Sequence, residues 1–291
     1  MPHPDYLARY DAMCDAAAAQ VIARYSTSFA LATRFLGRGL RRDILNLYAV
    51  VRIADEIVDG AASQAGGNPG PLLDAYEAAV LAAPGARFHT DPVLHAYAGS
   101  ARRCGFDPAH IRAFFASMRR DLTQNDYDEA GFTSYVYGSA EVIGLLCLSA
   151  FLAGEEVPAT RRADMEAGAR ALGSAFQKIN FLRDYAEDRG ELGRTYFPQL
   201  RGLPLDDATK ADLVSDIRSE LDRARRTIPL LPASARGAVA AAEALFRELT
   251  DRIEATPAAT LATTRISVPN HRKLALTARA VARHRKGTTH E

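Results

Sequence analysis

Two stretches of this sequence place aspartates four residues apart inside segments that are otherwise apolar, and few folds tolerate that. In the first, Leu47 to Asp59, helical geometry turns about 100° per residue, so Tyr48, Arg52, Asp55 and Asp59 fall on one narrow face. Apolar side chains cover most of the remaining circumference. A helix apolar nearly all round is normally buried, so its acids must open onto a cleft and not onto bulk water. The second stretch, Phe176 to Asp188, repeats the device. Gly173, Gln177, Asn180, Asp184 and Asp188 share a face, beside an apolar stripe of Leu172, Phe176 and Ile179.

One aspartate pair at this spacing usually marks a solvated surface, where like charges are mildly destabilising. Two pairs in apolar helices, flanked by amide, Arg and Tyr groups, point elsewhere. Carboxylates and a side-chain carbonyl are hard oxygen donors of the kind that suit Mg²⁺. Mg²⁺ takes one or two protein carboxylates and completes its shell with water and substrate phosphate, so two facing stripes with a gap meet its demands. Two other readings use the same residues: an ion-pair network with Arg52 and Arg183, or a bundle stabilised by calcium.

The rest of the chain is read as helical. Gly and Pro cluster at Gly60 to Pro71, Pro84 to Pro92, Gly105 to Pro108, Gly154 to Pro158 and Gly190 to Pro204, with 3.6-residue periodicity between them. Asp107-Pro108 is a helix start, Asp as cap and Pro in the first turn. No linker divides the 291 residues, so one domain is expected over 1–291. A formal charge of +1 gives no bias towards nucleic acid. Cys14, Cys104 and Cys147 suggest neither a disulfide framework nor a zinc site. Early acids at Asp5, Asp11 and Asp15 do not fit a signal peptide, and no apolar run approaches the roughly 20 residues of a membrane span. A soluble, cytoplasmic protein is expected. Between Glu254 and Glu291 there is no acid, while Arg265, Arg272, Lys273, Arg279, Arg283, Arg285 and Lys286 lie there; this stretch, with a basic tail from about 274 to 291, reads as frayed and solvated or as attracted to anionic membrane or to diphosphate.

Four blocks together resemble the squalene/phytoene synthases, the head-to-head prenyl transferases. They are Tyr25-Ser26-Thr27-Ser28-Phe29; Tyr48 to Asp59, similar to a DExxD first aspartate motif; Met118-Arg119-Arg120-Asp121-Leu122 with Tyr135-Val136-Tyr137-Gly138; and Asn180 to Asp188 running into Gly193-Arg194-Thr195-Tyr196-Phe197-Pro198. The last is the most specific. Taken alone, the Ser-rich block is no more than a helix cap. The ending Arg265-Ile266-Ser267-Val268-Pro269 with Lys273 resembles the bacterial phytoene synthase type.

The resemblance implies an all-α isoprenoid synthase fold, a helical bundle around a central cavity. It implies that Asp55, Asp59, Asn180, Asp184 and Asp188 hold several Mg²⁺ ions, with Glu56 turned aside. Tyr25, Ser26, Thr27, Ser28, Tyr48, Arg52, Gln177, Arg183, Arg194 and Tyr196 become the diphosphate-binding set, where fixed cations neutralise a departing diphosphate. The reaction implied is condensation of two geranylgeranyl diphosphates to phytoene. Two farnesyl diphosphates giving squalene, presqualene diphosphate or dehydrosqualene is the alternative, with NADPH needed only for squalene. A single-substrate terpene cyclase and a non-catalytic assembly factor share the scaffold. Glu141 stands where small residues are common in the family and is expected to be a partnered core acid, the alternative being that it lines the cavity and alters the product; Arg189 is expected in an ordinary salt bridge.

Overall fold

The computed structural model describes residues 5–190 and 193–285, and among these no strand occurs beyond one isolated bridge, Asp126 to Thr195. Helices α1 (Tyr6–Tyr25), α2 (Thr27–Thr33) and α3 (Arg38–Val58) come first, followed by the short α4 (Ala61–Gln64) and by α5 (Pro69–Ala82), α6 (Pro92–Cys104) and α7 (Pro108–Asp121). Then come α8 (Glu129–Val136), a five-residue π-turn (Tyr137–Glu141), α9 (Val142–Phe151) and the long α10 (Ala159–Arg183). The chain ends with α11 (Tyr185–Gly190), α12 (Asp207–Thr227), α13 (Ala233–Ala255), α14 (Ala258–Leu261) and α15 (Asn270–Arg285).

Local chemistry accounts for the boundaries. Asp107 caps α7 by accepting from Ala109 N at 2.7 Å, with Pro108 following, and Asp91 caps α6 in the same way from Val93 and Leu94. Two large clusters of buried side chains dominate the interior. Leu47, Val50, Phe114, Phe115 and Leu146 join α3, α7 and α9. Ile179, Leu182, Ile217, Leu221 and Phe246 join α10, α12 and α13. Each fully buried side chain of this size contributes about 1.5–3 kcal/mol, which holds α3 and α10, the carriers of the acids, in different clusters.

Three expectations change. Residues 274–285 of the basic tail belong to α15, which packs against α13 with Thr277 and Val281 buried, so this part is not a frayed, solvated tail; residues 286–291 lie outside the described part. The second acidic stripe is not one helix, because α10 ends at Arg183 and Asp184 serves as its C-cap. Finally, α8, the π-turn and α9 run together as Glu129–Phe151, 23 residues with mean hydropathy 1.3, long and apolar enough by composition to cross a membrane. Here that helix is a cavity wall between α7 and α10.

Candidate active site

A cavity of about 880 Å³ opens between these two clusters. Its walls are apolar in depth, with Phe114, Met118, Leu148, Phe151, Met165, Phe176 and Phe246, and polar along one rim. That rim is built from three stretches. The turn between α1 and α2 brings Tyr25, Ser26, Thr27 and Ser28; Ser26 does cap α2, accepting from Phe29 N at 3.2 Å. From α3 come Tyr48, Arg52 and Asp55, and from α10 come Gln177, Asn180 and Arg183. The Arg52 guanidinium lies 4.3 Å from the centre of the Tyr25 ring, a cation–π contact, and pairs with both Asp55 and Glu56.

Glu56 thus turns towards Arg52 and Ala61 N. Although burial works against ionisation, these two contacts hold its carboxyl below the usual range. Asp184 sits between two arginines, 2.9 Å from Arg183 Nε and 2.7 Å from Arg265 Nε. Asp59, just beyond α3, is held at two points by the buried Arg194, at 2.6 and 3.0 Å. Arg194 also donates to the Asp121 carbonyl at 2.7 Å.

The loop that carries Arg194 is fixed from several sides. Gly193 takes a left-handed φ of 65°, which glycine adopts without strain, and the next amide, Arg194 N, donates back to Asp188 O. Thr195 N reaches Asn125 O, and Tyr196 stacks on Phe181 with ring centres 4.0 Å apart. Phe197 is buried in the α10 core.

Electrostatics set three of the acids apart from ordinary surface carboxylates. Asp55 lies in the cleft, and burial pushes its carboxyl up to about 7, with Asp59 and Glu56 adding to the rise against the opposing Arg52. Burial and then Asp184 push Asp188 to about 7 as well. Asp121, 6% exposed, rises to about 7 by burial, with Arg194 and the Tyr135 hydroxyl opposing. Crowded carboxylates that resist ionisation favour a bound cation. Asn180 Oδ1 is buried without a hydrogen-bond partner, a hard oxygen free to ligate. Among the described residues no three Asp, Glu, His or Cys side chains already enclose a metal position. The donor set fits magnesium, which needs few protein ligands beside substrate oxygens.

The structure therefore gathers ten predicted residues at one rim: Tyr25, Ser26, Thr27, Ser28, Tyr48, Arg52, Asp55, Gln177, Asn180 and Arg183. Asp59, Asp184, Asp188, Arg194 and Tyr196 lie outside the cavity lining, although Asp184 pairs with Arg183 and Arg265, which belong to it. Two of the basic residues read as attracted to anionic membrane or to diphosphate, but left out of the diphosphate-binding set, join the rim. Arg265 pairs with Asp184, and Lys273 Nζ donates to Thr27 Oγ1 at 2.9 Å; both line the cavity. Burial and then Arg183 lower the Lys273 ammonium below the ordinary lysine range. Their signal was the Arg265-to-Lys273 block itself. Glu141 is partnered as expected, 2.6 Å from Arg170 Nε. Among the described residues Arg189 has no acid partner for its expected salt bridge. It donates to Tyr185 Oη and to Leu203 O, because the buried Tyr185 brings its hydroxyl within reach.

Comparison with known proteins agrees with this geometry. The sequence profile described as Squalene/phytoene synthase matches residues 22–272. A phytoene synthase of Arthrospira platensis is 32% identical over 260 residues, covering 81% of this chain and 82% of the relative. A 15-cis-phytoene synthase of Synechococcus elongatus is 32% identical over 259 residues, with the same coverage of both. Among solved structures, a dehydrosqualene synthase bound to a ligand superposes with a TM-score of 0.73 at 21% identity, over 96% of this chain and 98% of the other. Squalene synthase HpnC from Alicyclobacillus acidocaldarius gives 0.68 at 23% identity, over 88% and 95%. The fold is the isoprenoid synthase fold, and the chain belongs to the squalene/phytoene synthase family, whose members are prenyltransferases that join prenyl diphosphates head to head.

Proposed function

We propose that the protein joins two geranylgeranyl diphosphates into phytoene through a cyclopropylcarbinyl diphosphate, releasing diphosphate, with magnesium. The observation that carries this reading is a cavity whose polar rim, with arginines and a carboxylate, gives way to an apolar interior. Relatives at about 30% identity over most of their length, named as phytoene synthases, favour the C20 substrate.

Asp55, Asp59, Asn180, Asp184 and Asp188 are the residues that would hold magnesium, which when bound supplies positive charge to the leaving diphosphate. Arg52, Arg183, Arg265 and Lys273 present fixed cations on the same rim, and the hydroxyls of Tyr25, Ser26, Ser28 and Tyr48 donate beside them. Because these groups are already positioned, charge developing on the diphosphate is met without reorganisation. Arginine adds two-point geometry. The Phe, Met and Leu walls keep water from the allylic cation, which would otherwise be quenched to an alcohol. Arg194 and Tyr196 act one layer back, Arg194 fixing Asp59.

A cytoplasmic setting, with peripheral contact of α15 on an anionic membrane, belongs to the same reading; Arg272, Arg279 and Arg283 stand exposed there beside Leu274. The deciding experiment incubates purified protein with Mg²⁺ and C15 or C20 diphosphate, with and without NADPH, and identifies products by mass spectrometry. Phytoene from the C20 substrate, independent of NADPH, is expected. A C30 product from the C15 substrate alone would replace this reading with the farnesyl alternative.

A further inference from the structure

The helix that walls the cavity contains a π-turn, Tyr137–Glu141, closed by the bond from Val142 N to Tyr137 O. Such turns are rare, hold one residue more than an α-turn, and cluster at functional sites. This one presents Ser139 and Ala140 to the cavity, and Gly144 follows on the same wall. Helix α10 presses directly on it. A methyl group added at Gly173 would lie 2.5 Å from Ala140 O, and one at Gly144 would lie 2.4 Å from Ala169 O. Backbone meets backbone at both points, so a shift of the π-turn is felt at once in α10, which carries Gln177 and Asn180 on the rim.

Something must hold the extra residue in place, and the structure shows it on the outer face. Arg170, on α10 just before Gly173, spans the turn from end to end. Its Cζ lies 5.5 Å from the centre of the Tyr137 ring, the first residue of the turn, and its Nε donates to Glu141 Oε2, the last residue, at 2.6 Å. The Arg170 side chain is 52% exposed and is absent from the cavity lining, as are Tyr137 and Glu141.

We propose that Arg170 clamps the π-turn through Tyr137 and Glu141 and thereby sets the cavity wall that selects the prenyl chain, so that Arg170 and Glu141 are positioning residues that never touch substrate. The inference rests on the proposed prenyl diphosphate chemistry. Relaxation of the turn to α-geometry turns the wall by about one residue, close to 100°, and redirects Ser139 and Ala140. A wall that discriminates one prenyl length from another through apolar contact is sensitive to such a change.

The test compares wild type with Arg170→Ala, Arg170→Lys and Glu141→Gln. Two quantities are read: amide hydrogen exchange over residues 139–144, and the ratio of kcat/KM for C20 over C15 diphosphate. In Arg170→Ala, exchange is expected to rise roughly tenfold and the ratio to change roughly fivefold, with Arg170→Lys recovering part of both because it keeps the pair with Glu141. A lowered melting temperature with an unchanged ratio overturns the proposal and leaves Arg170 as a stabilising residue only. Unchanged exchange also overturns it. If the wild type turns over neither substrate, the functional reading fails instead, and amide exchange alone then decides whether the clamp exists.

Discussion

Asp121 offers a quantitative check on the electrostatics behind the rim. Its carboxyl is 6% exposed, accepts from Tyr135 Oη at 2.8 Å through Oδ2, and leaves Oδ1 without a partner. Burial raises it from an ordinary 3.8 to about 7. The sign follows from proton counting: between those values the native state holds a proton that the unfolded chain has lost, so stability falls as pH rises from about 4 to about 7. Each tenfold change in the proton equilibrium is worth about 1.4 kcal/mol, and the difference comes to about 4 kcal/mol at most. Asp121→Asn cannot ionise but still accepts from Tyr135 through its carbonyl. Arg194 keeps its bond to the main chain of residue 121. Urea unfolding of both proteins without metal, from pH 4 to pH 8, should therefore show the variant gaining on wild type by about 4 kcal/mol as pH rises. Asp55 and Asp188 titrate in the same window but are present in both proteins, so their effects largely cancel in the comparison. Parallel stability profiles would refute the assignment of a raised Asp121.

Asp55→Ala and Asp184→Ala should each fold normally and lose turnover by roughly a hundredfold or more, and because they serve one site the double variant should lose little beyond the weaker single one; multiplicative losses measured by steady-state kinetics would separate the two acids. Arg194→Lys keeps the charge but loses the two-point hold on Asp59, so kcat/KM should fall by roughly tenfold with an unchanged circular dichroism spectrum. Burial pushes the Cys147 thiol up to about 12. Its alkylation by iodoacetamide at pH 8, followed by peptide mass spectrometry, should be slower than that of a free thiol by about a thousandfold.

Much of the site was legible because its determinants are local. Tyr48, Arg52 and Asp55 share a face through helix geometry alone, and Gln177, Asn180 and Arg183 follow the same arithmetic on α10. The end of α10 at Asp184 was not legible, since neither Gly nor Pro marks it. The buried Tyr185, whose hydroxyl takes bonds from Arg189 and from Leu205 N, lies just past the break. Composition misled at α15, where charge outweighs the few side chains that pack on α13. The π-turn depends on close backbone approach from α7 and α10, which periodicity does not encode. The roles of Arg265 and Lys273 come from partners far along the chain, Asp184 and Thr27.

The bond between Lys273 and Thr27 joins positions 246 residues apart. Contacts of such separation form late, because the entropy of closing the intervening loop must be met before they reward it. During synthesis the turn at Ser26 leaves the ribosome long before Arg265 and Lys273 do. A chain interrupted ahead of residue 265 would thus carry both aspartate motifs yet lack two of the rim's cations. Completion of the cavity rim is in this way coupled to completion of the bundle, and a partly made chain lacks part of the positive charge that the finished rim carries.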